Sequence, residues 1–281
     1  MSDNNRQKEN IVDLYSRVAP RYGRVGPNIH SYAGERLIER LGMKQGAHVL
    51  DVAAGRGANL FPAARAVGPR GQVIGIDLAE GMVRETTAEI ERQNLQNASM
   101  LSMDAEHLTF PDASFDYVLC AFAIFLFPHL EQALSEFFRV LRPGGMLAIT
   151  VAQDLDALSH WYGERITEYS RRYSFPLYAG GGKGANYSEL PQYLSQAGFI
   201  DIQTLYEEAD FLYSDAQQWW DNLWTHGTRY SLEHMAPEVL EQFKAEVFDR
   251  LNQEAQSNGL HETLRFQYVL ALKGEKNEMQ Y

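Results

Sequence analysis

The stretch "LDVAAGRG" at residues 50–57 decides the fold, because an apolar run ends there in a tight glycine turn. An apolar run followed directly by a helical pattern over 58–67 predicts a buried strand that turns into a helix. Gly55 and Gly57 allow a sharp bend, and because they have no side chain a ligand can approach the backbone closely. The turn alone is compatible with a dinucleotide, a phosphate or a ligand that carries no phosphate.

Composition narrows the class of protein. The 281 residues, 45% of them hydrophobic, suffice for one large domain or a domain with a sizeable insertion. The net charge of −12 is spread without a basic block, which argues against a nucleic-acid substrate. The single cysteine excludes an internal disulfide and a cysteine-based zinc site, and it favours a reducing cytoplasm. We therefore expect small ligands, no metal and no stable membrane insertion, whereas the oligomeric state stays open.

Strands and helices alternate along the first half of the chain, a pattern typical of βαβ units and a mostly parallel sheet. After residue 152 the pattern is less regular, and helical insertions are expected at 153–187 and 212–260, with a mobile loop at 179–186. The "RPGG" at 142–145 is expected to end a helix. The predicted strands are 48–54, 72–78, 98–104, 115–123, 146–152, 199–211 and 264–273.

Three acidic residues follow or end the first three strands. The dinucleotide fingerprint fails because Leu60 stands at its third glycine position, and no Lys-Ser/Thr pair makes a P-loop. Asp51 inside the first strand needs a positive or donating partner, and Asp77 can accept both hydroxyls of a ribose. Asp104 can accept from the exocyclic amine of a base. The set suits S-adenosylmethionine, which has a ribose, an adenine, a positive charge and no phosphate.

Five segments resemble the class I S-adenosylmethionine-dependent methyltransferases, especially the branch of ubiquinone/menaquinone-biosynthesis and natural-product enzymes. They cover roughly residues 11–150 in the family's order: "LYSRVAPRYGRVGP" (14–27), "VLDVAAGRG" (49–57), "VIGIDLAEGM" (73–82), "MDAEHLTFPDASFDYVLC" (103–120) and "EFFRVLRPGG" (136–145). The resemblance implies an α/β, Rossmann-like seven-stranded sheet of order 3-2-1-4-5-7-6 with the last strand antiparallel. It also implies a helical lid at 1–45, a cofactor-binding core at 46–152, and the remaining strands with a substrate cap at 153–281.

The resemblance further assigns the residues of the cofactor site. The methionine end would lie against the glycine turn, the ribose on the acid that ends the second strand, and the adenine on apolar residues beside the third strand. Tyr22 would close over the cofactor from the lid, with Tyr15 a weaker candidate. The implied cofactor-binding residues are Tyr22, Asp51, Ala53, Gly55, Gly57, Asp77, Leu78, Met82, Asp104, Ala105, Cys120 and Ala121.

Two departures from the family pattern concern the acceptor side. Ala53 occupies a position that is often glycine, which tightens the pocket. Phe125 and Leu126 stand where the ubiquinone-type enzymes commonly carry a polar pair, which points to an apolar acceptor.

The aromatic insertions are expected to enclose the acceptor. Trp219 and Trp220 also have the spacing of residues that simply bury a cap helix. His226 is the first candidate for a general base, with His30 and His160 as fallbacks. The expected acceptor-binding residues are Phe125, Tyr178, Trp220, Trp224 and Arg229.

The expected function is methyl transfer from S-adenosylmethionine to a small, largely apolar acceptor of secondary metabolism, by a cytoplasmic enzyme. A cofactor-binding protein on the same scaffold with lyase, cyclase or no activity is the alternative. A nicotinamide-dependent oxidoreductase is disfavoured by Leu60 and by the absence of a Tyr-x-x-x-Lys pair.

Overall fold

A computed structural model describes residues 3–154, 157–178 and 187–274. Its centre is one seven-stranded sheet of order β3-β2-β1-β4-β5-β7-β6, in which β7 runs antiparallel to both of its neighbours. This order confirms the fold that the resemblance implied. The strands are β1 (His48–Val52), β2 (Gln72–Asp77), β3 (Ala98–Ser102), β4 (Phe115–Ala121), β5 (Leu141–Asp154), β6 (Phe199–Tyr213) and β7 (Leu260–Lys273).

Helices cover both faces of the sheet, because the central strands are apolar on both sides. One face packs on α5 and α7, and the other packs on α2, α3 and α4. The helices are α1 (Asp3–Val18), α2 (Ile29–Leu41), α3 (Leu60–Val67), α4 (Glu80–Arg92), α5 (Leu130–Val140), α6 (Ala157–Tyr173), α7 (Leu190–Gln196), α8 (Ala216–Leu223), α9 (Arg229–Glu233) and α10 (Pro237–Glu254).

The "RPGG" segment follows the end of a helix, as predicted, but it belongs to a strand that starts earlier than the predicted residue 146. Helix α5 ends at Val140, and residues 142–145 belong to the start of β5 instead of forming a separate turn. Leu141 pairs with Phe115, and the register then shifts before Met146 pairs with Tyr117. The extra residues therefore form an irregularity of the strand, which the helix-ending signal of proline and glycine does not distinguish from a loop.

The two insertions form one helical cap. Helix α6 from the first insertion packs against α8 and α10 from the second, around the buried rings of Tyr162, Trp219 and Phe243. The cap stands on the long ends of β6 and β7, which extend beyond the rest of the sheet. Residues 179–186, predicted as a mobile loop, lie outside the described residues. The predicted domain limits stay a prediction.

Helix α2 approaches the glycine turn closely enough to require a glycine of its own. A Cβ atom at Gly34 would lie 2.1 Å from the carbonyl oxygen of Ala58, which is backbone and has little room to move. Gly34 therefore sets the distance between the lid segment and the loop after β1.

We predict that Gly34→Ala lowers the free energy of unfolding by about 1–3 kcal/mol, the usual cost of overpacking. A decrease in the free energy of unfolding would be informative, because alanine stabilises an isolated helix by about 1 kcal/mol relative to glycine and would otherwise increase it. Urea denaturation followed by circular dichroism measures the change. Ser135→Ala on the exposed side of α5 is the control, with an expected change within about 0.5 kcal/mol. A Gly34→Ala protein as stable as the parent would contradict the close approach.

Candidate active site

The turn after β1 is fixed to the end of β2 by hydrogen bonds. The Gly55 N–H donates to Asp77 Oδ2 at 2.9 Å, and the Ala79 N–H donates to Asp77 Oδ1 at 2.9 Å. The Thr86 hydroxyl donates to the Gly55 carbonyl at 2.7 Å. Ala53 has a φ of 51°, so a non-glycine residue occupies the left-handed region at the first bend. Asp77 thus shapes the turn and still has lone pairs for a ligand.

Asp51 and Asn59 form a buried polar pair beneath the same turn. The Asn59 amide donates to Asp51 Oδ1 at 3.1 Å, and both residues are almost wholly buried. Asp51 Oδ2 and Asn59 Oδ1 have no hydrogen-bond partner among the described residues. Two adjacent unpaired acceptors in a buried site call for a donor from a ligand, and a cationic donor suits them best.

Burial shifts the pKa values of two carboxyl groups upward. Burial raises the pKa of Asp51 to about 7, although hydrogen bonds from Asn59 and Leu60 oppose the shift. Burial raises the pKa of Asp77 to about 6 against the hydrogen bonds of Ala79 and Gly55. A bound cation would favour the charged form of either group.

Asp104 follows β3 and is held by the N-terminal helix. Lys8 of α1 forms ion pairs with Asp104 at 2.6 Å and with Glu106 at 3.0 Å. Side-chain ligand atoms of Asp104, Glu106 and His107 lie within 4.8 Å of one another, a spacing that a metal could use. The Lys8 ammonium already provides the positive charge at the two carboxylates.

Two neighbouring cavities that share wall residues lie above the strand ends. The inner cavity holds about 110 Å³ and lies under α1. The outer cavity holds about 560 Å³, a size typical of small-molecule sites, and reaches exposed residues of the lid. They share walls made by the lid, the turn and the end of β4: Tyr22, Ala53, Gly55, Ala121 and Phe122.

Aromatic and histidine side chains enclose the junction of the cavities. The Tyr22 hydroxyl lies 3.0 Å from His30 Nε2, and the His30 ring packs edge-on against Phe122 with centroids 4.8 Å apart. Burial lowers the pKa of His30 to about 4. Burial, and secondarily the charge of His30, lowers the pKa of His226 to about 4. The two histidines are thus neighbours in a setting that disfavours their charged forms.

Most of the predicted cofactor residues meet at these cavities. Asp51 lines the outer cavity, and the inner cavity has in its wall Tyr22, Ala53, Gly55, Asp77, Leu78, Met82, Asp104, Ala105 and Ala121, with Tyr15 beside them. Gly57 and Cys120 form no part of either wall. A Cβ at Gly57 would meet the Phe61 ring, and the Cys120 thiol is buried in the sheet, where burial raises its pKa. These two residues shape the turn and the core.

Sequence reasoning missed several wall residues. Lys8, Ile11 and Val12 come from α1, and Phe127 follows β4. The helical period of α1 could have indicated the apolar pair, because Ile11, Leu14 and Tyr15 recur on one side. Nothing in the sequence pairs Lys8 with Asp104, which is 96 residues away.

The predicted acceptor residues lie outside the walls of both cavities. Phe125 packs against the sheet core, and Trp224 packs on the cap cluster. Trp220 is buried against Phe243 and Phe248, so in this structure it is a packing residue of the cap, as its helical spacing also allowed. Arg229 forms an ion pair with Glu233.

Tyr178 and His226 are nearer to the junction. The Tyr178 hydroxyl lies 2.8 Å from that of Tyr15, which lines the inner cavity. His226 is held by Thr228 at 3.2 Å and by Asn222 at 3.4 Å. Of the fallback histidines, His30 lines the outer cavity, whereas His160 lies on the exposed side of α6. The roles of His226 and Tyr178 stay predictions.

The strand order and the carboxylates around the glycine turn define a methyltransferase of class I. Residues 49–145 match the family model described as a methyltransferase domain. The chain is 30% identical over 272 residues to nocamycin O-methyltransferase of Saccharothrix syringae, which covers 91% of this chain and 96% of that relative. The chain belongs to the class I S-adenosylmethionine-dependent methyltransferases.

A further relative agrees with this assignment, and a solved structure agrees with the fold. The demethylmenaquinone methyltransferase of Staphylococcus aureus (strain Newman) is 30% identical over 226 residues, which are 75% of this chain and 89% of that relative. The solved structure of the cyclase SpnF superposes with a TM-score of 0.56 at 20% identity, covering 87% of this chain and 81% of that chain. The second similarity concerns the fold alone. Within the described ranges, the helices are too short or too polar to cross a membrane.

We predict that the contribution of Asp51 to the free energy of unfolding of the ligand-free protein falls as the pH rises from about 4 to 7. The pKa of Asp51 is raised in the folded state, so the unfolded state loses its proton first and is favoured as the pH increases. This fall amounts to up to about 4 kcal/mol at roughly 1.4 kcal/mol per pKa unit.

Asp51→Asn removes this titration and keeps an acceptor for Asn59, so the free energy of unfolding of the variant is expected to fall less, or to rise more, with pH than that of the parent. Asp77 contributes in the same direction as Asp51, whereas His30 and His226, whose pKa values are lowered by burial, contribute in the opposite direction. Urea denaturation at several pH values measures the slope. Asp112→Asn, at a largely exposed carboxylate, is the control. A slope unchanged by Asp51→Asn would show that Asp51 is not buried as described.

We predict that Lys8→Met accelerates the dissociation of S-adenosylhomocysteine about fivefold, because α1 loses its ion pairs to Asp104 and Glu106. Salt is expected to accelerate dissociation in the parent and to do so less in Lys8→Met, since screening acts on the same ion pairs. Stopped-flow displacement measures the rate. Lys44→Met, at an exposed position below the sheet, is the control. Equal dissociation rates in the parent and Lys8→Met would show that the ion pairs of Lys8 do not hold α1 over the bound ligand.

Proposed function

We propose that this protein transfers the methyl group of S-adenosylmethionine to a small, largely apolar acceptor. The observation that carries the proposal is the arrangement of Asp51, Asp77 and Asp104 at neighbouring strands around two cavities that share wall residues. Each carboxylate faces a different part of one ligand, and the family membership of the chain supports the same cofactor.

The fit of the cofactor rests on the unpaired polar atoms and the apolar walls. The α-ammonium group suits Asp51 Oδ2 and Asn59 Oδ1, which otherwise have no partner among the described residues. The ribose hydroxyls suit Asp77, whose two oxygens accept from the Gly55 and Ala79 N–H groups and keep further lone pairs. The adenine suits the apolar inner cavity beside Leu78 and Met82, with Asp104 at its edge.

When bound, the cofactor supplies an electrophilic methyl group on a positively charged sulfur. The residues of the chain bind and orient the cofactor and the acceptor, and they exclude water from the site. Helix α1 covers the inner cavity through Ile11 and Val12, and Tyr22 closes the junction from the lid. Holding two reactants in line accounts for about 7–11 kcal/mol of barrier reduction in favourable cases. Positioning is therefore the main contribution that we propose for this site.

The acceptor class follows from the enclosure of the site and from the names of the relatives. Aromatic rings of Tyr22 and Phe122 stand at the junction, and the acidic chain disfavours a nucleic-acid acceptor. The compared relatives are named for nocamycin and demethylmenaquinone, which supports a small natural-product or quinone-like acceptor here. We further propose that the protein is a cytoplasmic enzyme of secondary metabolism. When the acceptor binds, the side chains that we expect to move toward it are those of Phe125, Tyr178, Trp224, Arg229 and His226.

The test is product analysis with a panel of naphthols, naphthoquinols and polyketide-like phenols. We expect S-adenosylhomocysteine to form in equal amount with an acceptor heavier by one CH₂, detected by mass spectrometry. Binding of the cofactor without S-adenosylhomocysteine, together with a rearranged acceptor of unchanged mass, would instead support the cyclase alternative.

The variant Asp77→Ala tests the binding of S-adenosylmethionine at the proposed ribose site. It is expected to weaken S-adenosylmethionine binding about 10–100-fold in calorimetry, because the hydrogen bonds of a charged group to two ribose hydroxyls are lost. Asp112→Asn is the control, since that side chain is far from the cavities and largely exposed. Unweakened binding in Asp77→Ala would remove the proposed ribose site.

A further inference from the structure

Tyr22 and His30 make a hydrogen-bonded pair at the meeting point of the two cavities. Tyr22 lines both cavities, and His30 lines the outer one. The Tyr22 hydroxyl and His30 Nε2 lie 3.0 Å apart, and their rings are tilted with centroids 4.9 Å apart. The residues sit eight positions apart on either side of the bend between α1 and α2, so one lid segment carries the whole pair.

Packing holds the His30 ring in place from the other side. Phe122 lies edge-on to His30 and has a φ of 55°, an unusual conformation for a bulky residue. Such strain is commonly found where a side chain is held for function. Phe122 also directly follows β4 and lines both cavities. The strained residue thus fixes His30 next to the ligand space.

The surroundings of the pair keep it neutral. His226 is the titratable neighbour of His30 from the cap, whereas Tyr15 and Asp77 are the neighbours of Tyr22. Asp51 and Arg24 lie on the wall of the outer cavity. Burial disfavours a charge on either histidine, so His30 is present as a free base at neutral pH and holds an added proton weakly.

We propose that Tyr22 and His30 accept the proton of the acceptor, and that the acceptor is an acidic hydroxyl, a phenol or an enol. This inference rests on the proposed function and names the substrate class of the same site. The acceptor hydroxyl gives its proton to Tyr22 Oη while the Tyr22 proton moves to His30 Nε2. The acceptor oxygen bonds to the methyl carbon, and the sulfonium becomes a neutral thioether.

The chemistry of the pair selects the acceptor. Because burial makes His30 a weak base, proton transfer toward it becomes easier as the acceptor hydroxyl becomes more acidic, which favours phenols and enols. An aliphatic alcohol is too weakly acidic, and an ammonium group would add a charge where burial already disfavours one. The proton on His30 then leaves through the outer cavity, whose rim carries the exposed Arg24 and Asn28.

The experiment compares His30→Gln, Tyr22→Phe and the parent on a series of substituted naphthols of graded acidity. For naphthols that stay protonated at the assay pH, kcat in both variants is expected to fall about 100-fold, the lower range for general-base catalysis. For naphthols that are already ionised, the loss is expected to shrink to less than about threefold. KM is expected to change little for either variant. His129→Gln, on an exposed side chain, is the control.

Calorimetry with S-adenosylhomocysteine on every variant separates the two proposals. For His30→Gln, unchanged affinity for S-adenosylhomocysteine together with an acidity-dependent loss of kcat supports the pair. Tyr22 lines both cavities, so Tyr22→Phe is judged by the acidity dependence of its kcat. Equal losses for protonated and ionised naphthols, or methyl transfer only to amines, would overturn the inference and leave the methyltransferase proposal intact. Failure of the parent to bind S-adenosylhomocysteine would overturn the proposed function itself.

Discussion

The hydrogen bond from the Gly55 N–H to the Asp77 carboxylate is the interaction on which the site depends. It joins the turn after β1 to the end of β2 at 2.9 Å, and the Ala54 N–H donates to the Ile76 carbonyl alongside it. With the turn held this way, its bare backbone forms one wall of both cavities. Burial raises the pKa of Asp77 to about 6, although the hydrogen bonds from Ala79 and Gly55 oppose the shift.

The lid and the cap are tied to each other as well as to this turn. Arg17 of α1 bonds Glu233, which also receives Arg229 from the cap helix α9. Tyr15 and Tyr178 meet at 2.8 Å across the same boundary. An enclosed site of this kind excludes water from a positively charged ligand, which strengthens each electrostatic contact inside it.

The strands and the three acids near the glycine turn could be predicted because their signals are local, whereas the strand order came from the family resemblance. Apolar runs, the glycine turn and the acids at strand ends lie within a few residues of the structure they specify. Contacts such as Lys8 with Asp104, or His30 with Phe122, join residues far apart in the chain, and no local pattern indicates them. Trp220 shows the same limit, because helical spacing alone cannot tell a packing residue of the cap from a wall of a pocket.

A crystal structure with S-adenosylhomocysteine tests the central claim most directly. The account predicts density that runs from Asp104 past Asp77 to Asp51, with both ribose hydroxyls on Asp77 and the amino group within hydrogen-bond distance of Asp51 Oδ2. The sulfur would then lie at the junction beside Tyr22. Density for the ligand away from these three carboxylates, with Asp51 Oδ2 still unpaired, would contradict it.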